Sequence, residues 1–91
     1  MDYTITHNEA ISRFETTVEG RLSYIDYLLE GQVITFTHTY VSEELEGRGI
    51  AAALAKTALG YAAENELKVI PSCSYIRVYM ERHPEYKALL Y

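Results

Sequence analysis

The chain has no tryptophan, one cysteine, two prolines and few basic residues, and each shortage excludes something. A single cysteine cannot close an internal disulfide, so packing alone must hold the fold, as suits a reducing compartment. Eight lysines and arginines stand against thirteen acidic residues, a net charge of −5. That balance argues against nucleic-acid or anionic-membrane partners, since either needs a basic face. No apolar run approaches the roughly 18 residues of a membrane span, and no secretory leader precedes the first polar residues. A cytoplasmic location is the expectation. Linkers, internal repeats and low-complexity tracts are also missing. The 91 residues therefore read as one domain over 1–91, long enough to bury a core. Tyrosine is what the chain has in quantity: nine of them, whose hydroxyls the aromatic packing must accommodate.

The first half reads as strands and the second as helices. Tyr3–His7 and Ala10–Val18 alternate in part, and Glu19-Gly20 makes a turn into Arg21–Leu29. In that segment Ser23, Ile25, Tyr27 and Leu29 form the more apolar side. Glu30-Gly31 is a second turn, into a strand over Gln32–Val41, which completes an antiparallel meander. A helix follows over about Arg48–Asn65, with Leu54, Ala58 and Tyr61 on one face. The short strand Lys68–Ile70 comes next. Because a helix links it to strand 32–41, the two are expected to be parallel, joined by a right-handed crossover. Ser72-Cys73-Ser74 then caps a helix over about Tyr75–Arg82, and Pro84 opens a last turn. The order β-β-β-β-α-β-α gives an α/β fold: a mixed sheet with helices.

The junction between strand 32–41 and the long helix carries the chemistry. Gly47 and Gly49 stand where unpaired helix N–H groups and the helix dipole favour an anion such as phosphate, and glycine lets backbone approach it. A nucleoside-triphosphate loop needs Lys and Ser/Thr after its last glycine; here Ile50-Ala51-Ala52 follow, so that option fails. Gly47-Arg48-Gly49-Ile50-Ala51-Ala52 does fit the G-x-G-x-x-A of dinucleotide folds, with Glu64 or Glu66 as the ribose acid. Such folds need several parallel βαβ units, and this chain has room for one. A meander feeding a single β-loop-α-β unit instead suits a pyrophosphate with a long tail lying along the strand that enters the loop.

These residues resemble a family. The acyl-CoA loop of the GNAT-type acetyltransferases reads Gln/Arg-x-x-Gly-x-Gly/Ala; here it reads Glu46-Gly47-Arg48-Gly49-Ile50-Ala51, with Glu46 in place of the first Gln or Arg. Thr37-His38-Thr39-Tyr40-Val41, Lys68-Val69-Ile70-Pro71-Ser72-Cys73 and His83-Pro84-Glu85-Tyr86 are similar to segments of the small single-domain branch. The resemblance runs from about Thr4 to Leu90. It implies an acetyl-CoA site formed by Val41, Glu46, Gly47, Arg48, Gly49, Ile50, Ala51 and Ala52, and acetyl transfer to an amine acceptor. The wider family often places a tyrosine acid on the helix after the fifth strand. Setting Cys73 at that helix's usual leading asparagine puts Met80 at the acid position, and Tyr79, one residue off, faces another way by about a hundred degrees.

Cys73 offers another chemistry. Its place at a helix start favours the thiolate. His38 lies near the C-terminal end of the neighbouring parallel strand, where α/β sites gather, and can serve as its base if the two approach. The resemblance makes the same pair, Cys73 and His38, catalytic. Simple alternation puts His38 on the face shared with Ile34, Phe36 and Tyr40, which also allows a core histidine. His7 reads as a surface residue and His83-Pro84 as a helix stop. No metal-ligand spacing links the histidines and cysteine, so no metal is expected. The acidic run Glu43–Glu46 reads as a solvated face. Three functions follow: an acetyltransferase acting directly or through acetyl-Cys73, a non-catalytic CoA-binding or sensor module, and an interaction protein with a relic pocket. A monomer or weak dimer is expected.

Overall fold

A computed structural model describes residues 3–91. Strands β1 (Thr6–Asn8), β2 (Arg13–Val18), β3 (Arg21–Glu30), β4 (Val33–Tyr40) and β5 (Lys68–Pro71) form one sheet in that spatial order. β1 to β4 pair antiparallel and β4 pairs parallel with β5, so both the meander and the crossover expected from sequence are present. Helix α1 (Ile50–Glu64) makes the crossover, and helix α2 (Ser74–Arg82) follows β5. A 3-10 segment over Pro84–Leu89 then returns the chain to β5, where Leu90 bridges Val69 in parallel.

Turn chemistry sets the strand ends. Glu19 (φ 51°) and Gly20 (φ 74°) are both left-handed, the conformation whose twist joins two strands in a two-residue hairpin. The second hairpin loop is Gly31-Gln32, one residue later than expected, because β3 pairs through Glu30 with Val33. The first strands are shorter than expected. A 3-10 turn at Glu9–Ile11 and a left-handed Ser12 separate Thr6–Asn8 from Arg13–Val18.

All helical packing lies on one face of the sheet. Phe14, Ile25, Tyr27, Ile34, Phe36 and Val69 point to it and are buried against Leu54, Ala55, Ala58, Leu59 and Ala62 of α1 and Ile76, Tyr79 and Met80 of α2. Alanines at the helix interface let α1 sit close to the β-branched and aromatic strand residues. The other face carries Tyr24, Asp26, Leu28, His38 and Tyr40, none of which is buried. Leu29, expected on the buried side, lies at the end of its strand and is 44% exposed.

One irregularity decides the site. The β3–β4 register runs Tyr27↔Phe36 and then Asp26↔His38, so Thr37 is an extra residue, a β-bulge on β4. Its hydroxyl donates to the Asp26 carbonyl at 3.3 Å. Side chains alternate along a strand, so one inserted residue reverses every later side chain. Ile34 and Phe36 face the helices, but beyond the bulge it is Thr39, paired with the fully buried Ile25, that faces inward. His38 is exposed and faces outward with Tyr40. The face shared with Ile34 and Phe36, and with it the core-histidine alternative, is thereby corrected.

Candidate functional site

β4 and β5 pair only from Val33 to Phe36, after which they part. The Cys73 N–H bonds the Phe36 carbonyl at 2.9 Å, which ties the start of α2 to the point of separation. Among the described residues no strand covers this edge of β4 beyond Phe36. A cleft of about 470 Å³ opens there, lined by Thr39, Tyr40, Val41, Leu45, Glu46, Gly47, Gly49, Ile50, Ala51, Ala52 and Tyr75.

The loop end of the cleft is made of backbone. Gly47 (φ 83°) and Gly49 (φ 77°) hold left-handed conformations that an L side chain adopts at a cost. Gly49 is the N-cap of α1, and no side chain caps the helix. The first intrahelical bond runs from the Ala53 N–H to the Gly49 carbonyl, so the N–H groups of Ile50, Ala51 and Ala52 precede the helical ladder. The helix begins at Ile50 rather than Arg48 because two left-handed glycines cannot continue into it. Seven of the eight residues expected to hold a cofactor line this cleft; Arg48 does not. Its guanidinium pairs with Glu19 of the β2–β3 hairpin, which raises the arginine pKa and lowers that of Glu19. Its carbonyl accepts the Tyr3 hydroxyl at 2.6 Å. Glu46 is exposed on the rim. Beside it the Ser42 hydroxyl donates to Glu44 and lowers that carboxyl's pKa, and Arg21 lies 3.6 Å away.

The other end is made of side chains. Cys73, the middle of the Ser72-Cys73-Ser74 trio expected to cap the helix, is the N-cap of α2, 9% exposed, and makes no side-chain capping bond. Its Sγ lies 3.0 Å from Thr39 Oγ1, and Thr39 lines the cleft. The structure brings Cys73 to Thr39, not to His38. His38 instead stands on the opposite face, 6.1 Å from the Tyr24 ring, in a patch where Tyr24 stacks on Tyr40 and Arg13 lies over Tyr24 while pairing with Asp26. Tyr75, in the first turn of α2, forms the aromatic wall, and burial raises its phenol pKa. Met80, at the expected acid position, is buried, and Tyr79 stacks on His83 with ring centres 3.9 Å apart.

Sequence reasoning missed Thr39, Tyr40 and Tyr75. Thr39 needed the bulge, which turns it inward. Tyr75 had a signal: it opens a helix after a parallel strand, where ligands collect in open α/β sheets. His7 is not a surface residue as expected. It is half-buried, stacked on Phe14 at 4.1 Å and bonded through Nε2 to the Tyr27 hydroxyl at 2.7 Å. His83 ends α2, as its Pro neighbour suggested, and its Nδ1 lies 2.8 Å from the Tyr79 carbonyl. Among the described residues no three His, Cys, Asp or Glu side chains cluster as metal ligands, and no helix is long and apolar enough to cross a membrane.

An open β4 edge leading to an uncapped, glycine-led helix is an arrangement that can be compared with known proteins. The sequence profile of the GCN5-related N-acetyl-transferases matches residues 13–89. The chain belongs to this family. Protein NATD1 of Danio rerio is 37% identical to this chain over 87 residues, 90% of this chain and 79% of that protein. Protein NATD1 of Homo sapiens is 40% identical over 53 residues, 58% of this chain and 47% of that protein. The chain thus spans about half the length of the human and chicken relatives in these matches. The NMR structure of a GCN5-like protein from Staphylococcus aureus superposes with a TM-score of 0.76 at 30% identity, covering 98% of this chain and 88% of that one. The five-stranded mixed sheet with α1 after β4 is therefore the acetyltransferase-family fold, as the resemblance implied.

Proposed function

We propose that the protein binds acetyl-CoA in the cleft and passes the acetyl group to an amine. The observation that carries this reading is the uncapped N-terminus of α1, led by two left-handed glycines, at one end of a cleft whose wall is the free edge of β4. The N–H groups of Ile50, Ala51 and Ala52 suit a pyrophosphate. The bare β4 edge around Thr39–Val41 suits an amide-bearing tail that bonds as a strand does. Bound there, acetyl-CoA supplies an activated thioester carbonyl. The donor set fits with one reservation of charge: Glu46 faces the same cleft, and Arg48 is engaged by Glu19.

The chain's own residues suit two routes. In direct transfer the cleft orients the thioester and a neutral amine attacks its carbonyl; the C–S bond breaks and CoA leaves as the thiol, taking up the proton the amine loses. In the second route the Cys73 sulfur attacks the thioester carbonyl, the C–S bond breaks and CoA leaves as the thiol with the Cys73 proton. An amine then attacks the acetyl-Cys73 carbonyl, and its proton goes to the freed Cys73 sulfur. The 3.0 Å contact between Cys73 and a cleft-lining threonine favours keeping this route. His38, on the far face, is not needed for either.

Calorimetric titration with CoA, acetyl-CoA and NAD tests the reading, followed by labelled acetyl-CoA with a panel of amines. CoA binding and a raised melting temperature are expected, since a ligand selective for the folded state stabilises it by about 2.7 kcal/mol at a hundred times Kd. Binding without transfer to any amine would leave a CoA-binding module. NAD binding with no response to CoA would overturn the proposal.

A further inference from the structure

We infer that Tyr75 closes the acyl end of the cleft and limits the length of the acyl group the protein accepts. The inference rests on the acyl-CoA reading above. Direction along the cleft follows from the chain. The anion end is the Gly47–Ala52 backbone. Going back along β4 leads to Thr39 and then to Phe36, where β5 leaves the sheet and the Cys73 N–H anchors α2. A thioester carried on a tail running that way ends beside Thr39 and the first turn of α2. Tyr75 is the one α2 residue on the cleft, so it meets whatever extends beyond the thioester.

The wall is braced from behind. Tyr75 lies against Tyr79, ring centres 6.2 Å apart, and Tyr79 is 9% exposed. Tyr79 is in turn stacked on His83 at 3.9 Å and 17°, with Tyr86 at 6.1 Å. His83 is held by the Tyr79 carbonyl through Nδ1 at 2.8 Å. This row runs the length of α2 into the following 3-10 segment. A side chain backed by packed aromatic rings cannot withdraw without moving them, because protein interiors are close-packed. A phenol is neutral near pH 7, and burial raises the Tyr75 pKa further, so the wall carries no charge there. An acyl chain extending past the thioester meets this wall first.

The test measures Kd for CoA, acetyl-CoA and hexanoyl-CoA on the wild-type chain, Tyr75→Phe and Tyr75→Ala. In the wild type, hexanoyl-CoA is expected to bind at least about tenfold more weakly than acetyl-CoA, the scale on which pockets discriminate chain length. Tyr75→Phe should keep that ratio and Tyr75→Ala should bring it to within about threefold, each thioester being compared with the other on the same variant. Equal wild-type affinity for both thioesters overturns the inference whether or not the variants fold. So does a ratio that Tyr75→Ala leaves intact. CoA binding with either of those results removes this inference alone; failure of CoA to bind removes the acyl-CoA reading and this one with it.

Discussion

The two ends of the cleft are built on different principles. The loop end uses backbone: two left-handed glycines and the first N–H groups of α1, all within six consecutive residues. The α2 end uses side chains from separate elements, Thr39 of β4, Cys73 at the start of α2 and Tyr75 in its first turn, brought together by the parting of β4 from β5. A backbone site depends on local conformation and tolerates changes in its neighbours' side chains. A side-chain site depends on which face each residue takes, and one inserted residue reverses it.

Breaking the loop end should have the largest effect. Gly49→Glu puts a side chain into a left-handed N-cap, costing about 1–2 kcal/mol, and a carboxylate where the pyrophosphate is proposed to sit. CoA affinity is expected to fall at least about tenfold while the circular dichroism spectrum stays folded. Retained affinity would mean that the anion end lies elsewhere.

At the α2 end the contrast is between Thr39 and His38. Thr39→Val removes the hydroxyl on the Cys73 sulfur, and alkylation of Cys73 near neutral pH should slow by about two- to tenfold, the worth of one hydrogen bond. His38→Ala should leave the rate within about twofold, since separated sites act independently. The opposite ranking would show that the bulge rearranges in solution. Mass spectrometry after incubation with acetyl-CoA then reads the covalent route, which Cys73→Ala abolishes while keeping CoA binding.

Charge at the rim gives a smaller effect. Glu46→Gln should tighten CoA binding by a few-fold, most clearly at low salt, because it removes a like charge from the rim of the cleft. A loss of affinity would instead make Glu46 a support of the loop.

The smallest effect is a titration. Arg48 lowers the Glu19 pKa from its usual 4.5, first through their hydrogen bond. A carboxyl depressed in the folded state contributes stability above its unfolded value and loses it as pH falls through the folded one. NMR should therefore find the Glu19 midpoint below 4.5, and Arg48→Ala should return it toward that value. Both groups are exposed, so melting near neutral pH should change little. An unshifted Glu19 would mean that Arg48 is free to turn to the cleft.

What was legible along the chain follows this division. The meander and crossover showed in strand-length β-branched runs, two-residue turns and one alanine-rich helix. The loop end of the cleft showed in two glycines before that helix, and seven of the eight residues proposed to hold a cofactor line the cleft. Errors gathered where tertiary packing overrides local pattern. His7 stands beside the polar Asn8-Glu9 turn yet stacks on Phe14, because β1 pairs His7 with Phe14 across the strands. Of the trio Ser72-Cys73-Ser74 read as the cap of α2, it is Cys73 that takes the N-cap position, without a side-chain bond, while its N–H bonds the Phe36 carbonyl.

Sequence alone determined the element order, the family and the backbone of the glycine loop before α1, because turn and helix-start signals act over a few residues. Only the tertiary structure decided which side chains meet. Nothing in Thr37-His38-Thr39 announces a bulge. Pairing with β3 places the extra residue at Thr37, turns His38 outward and delivers Thr39 to Cys73, because strand parity is set by the partner strand.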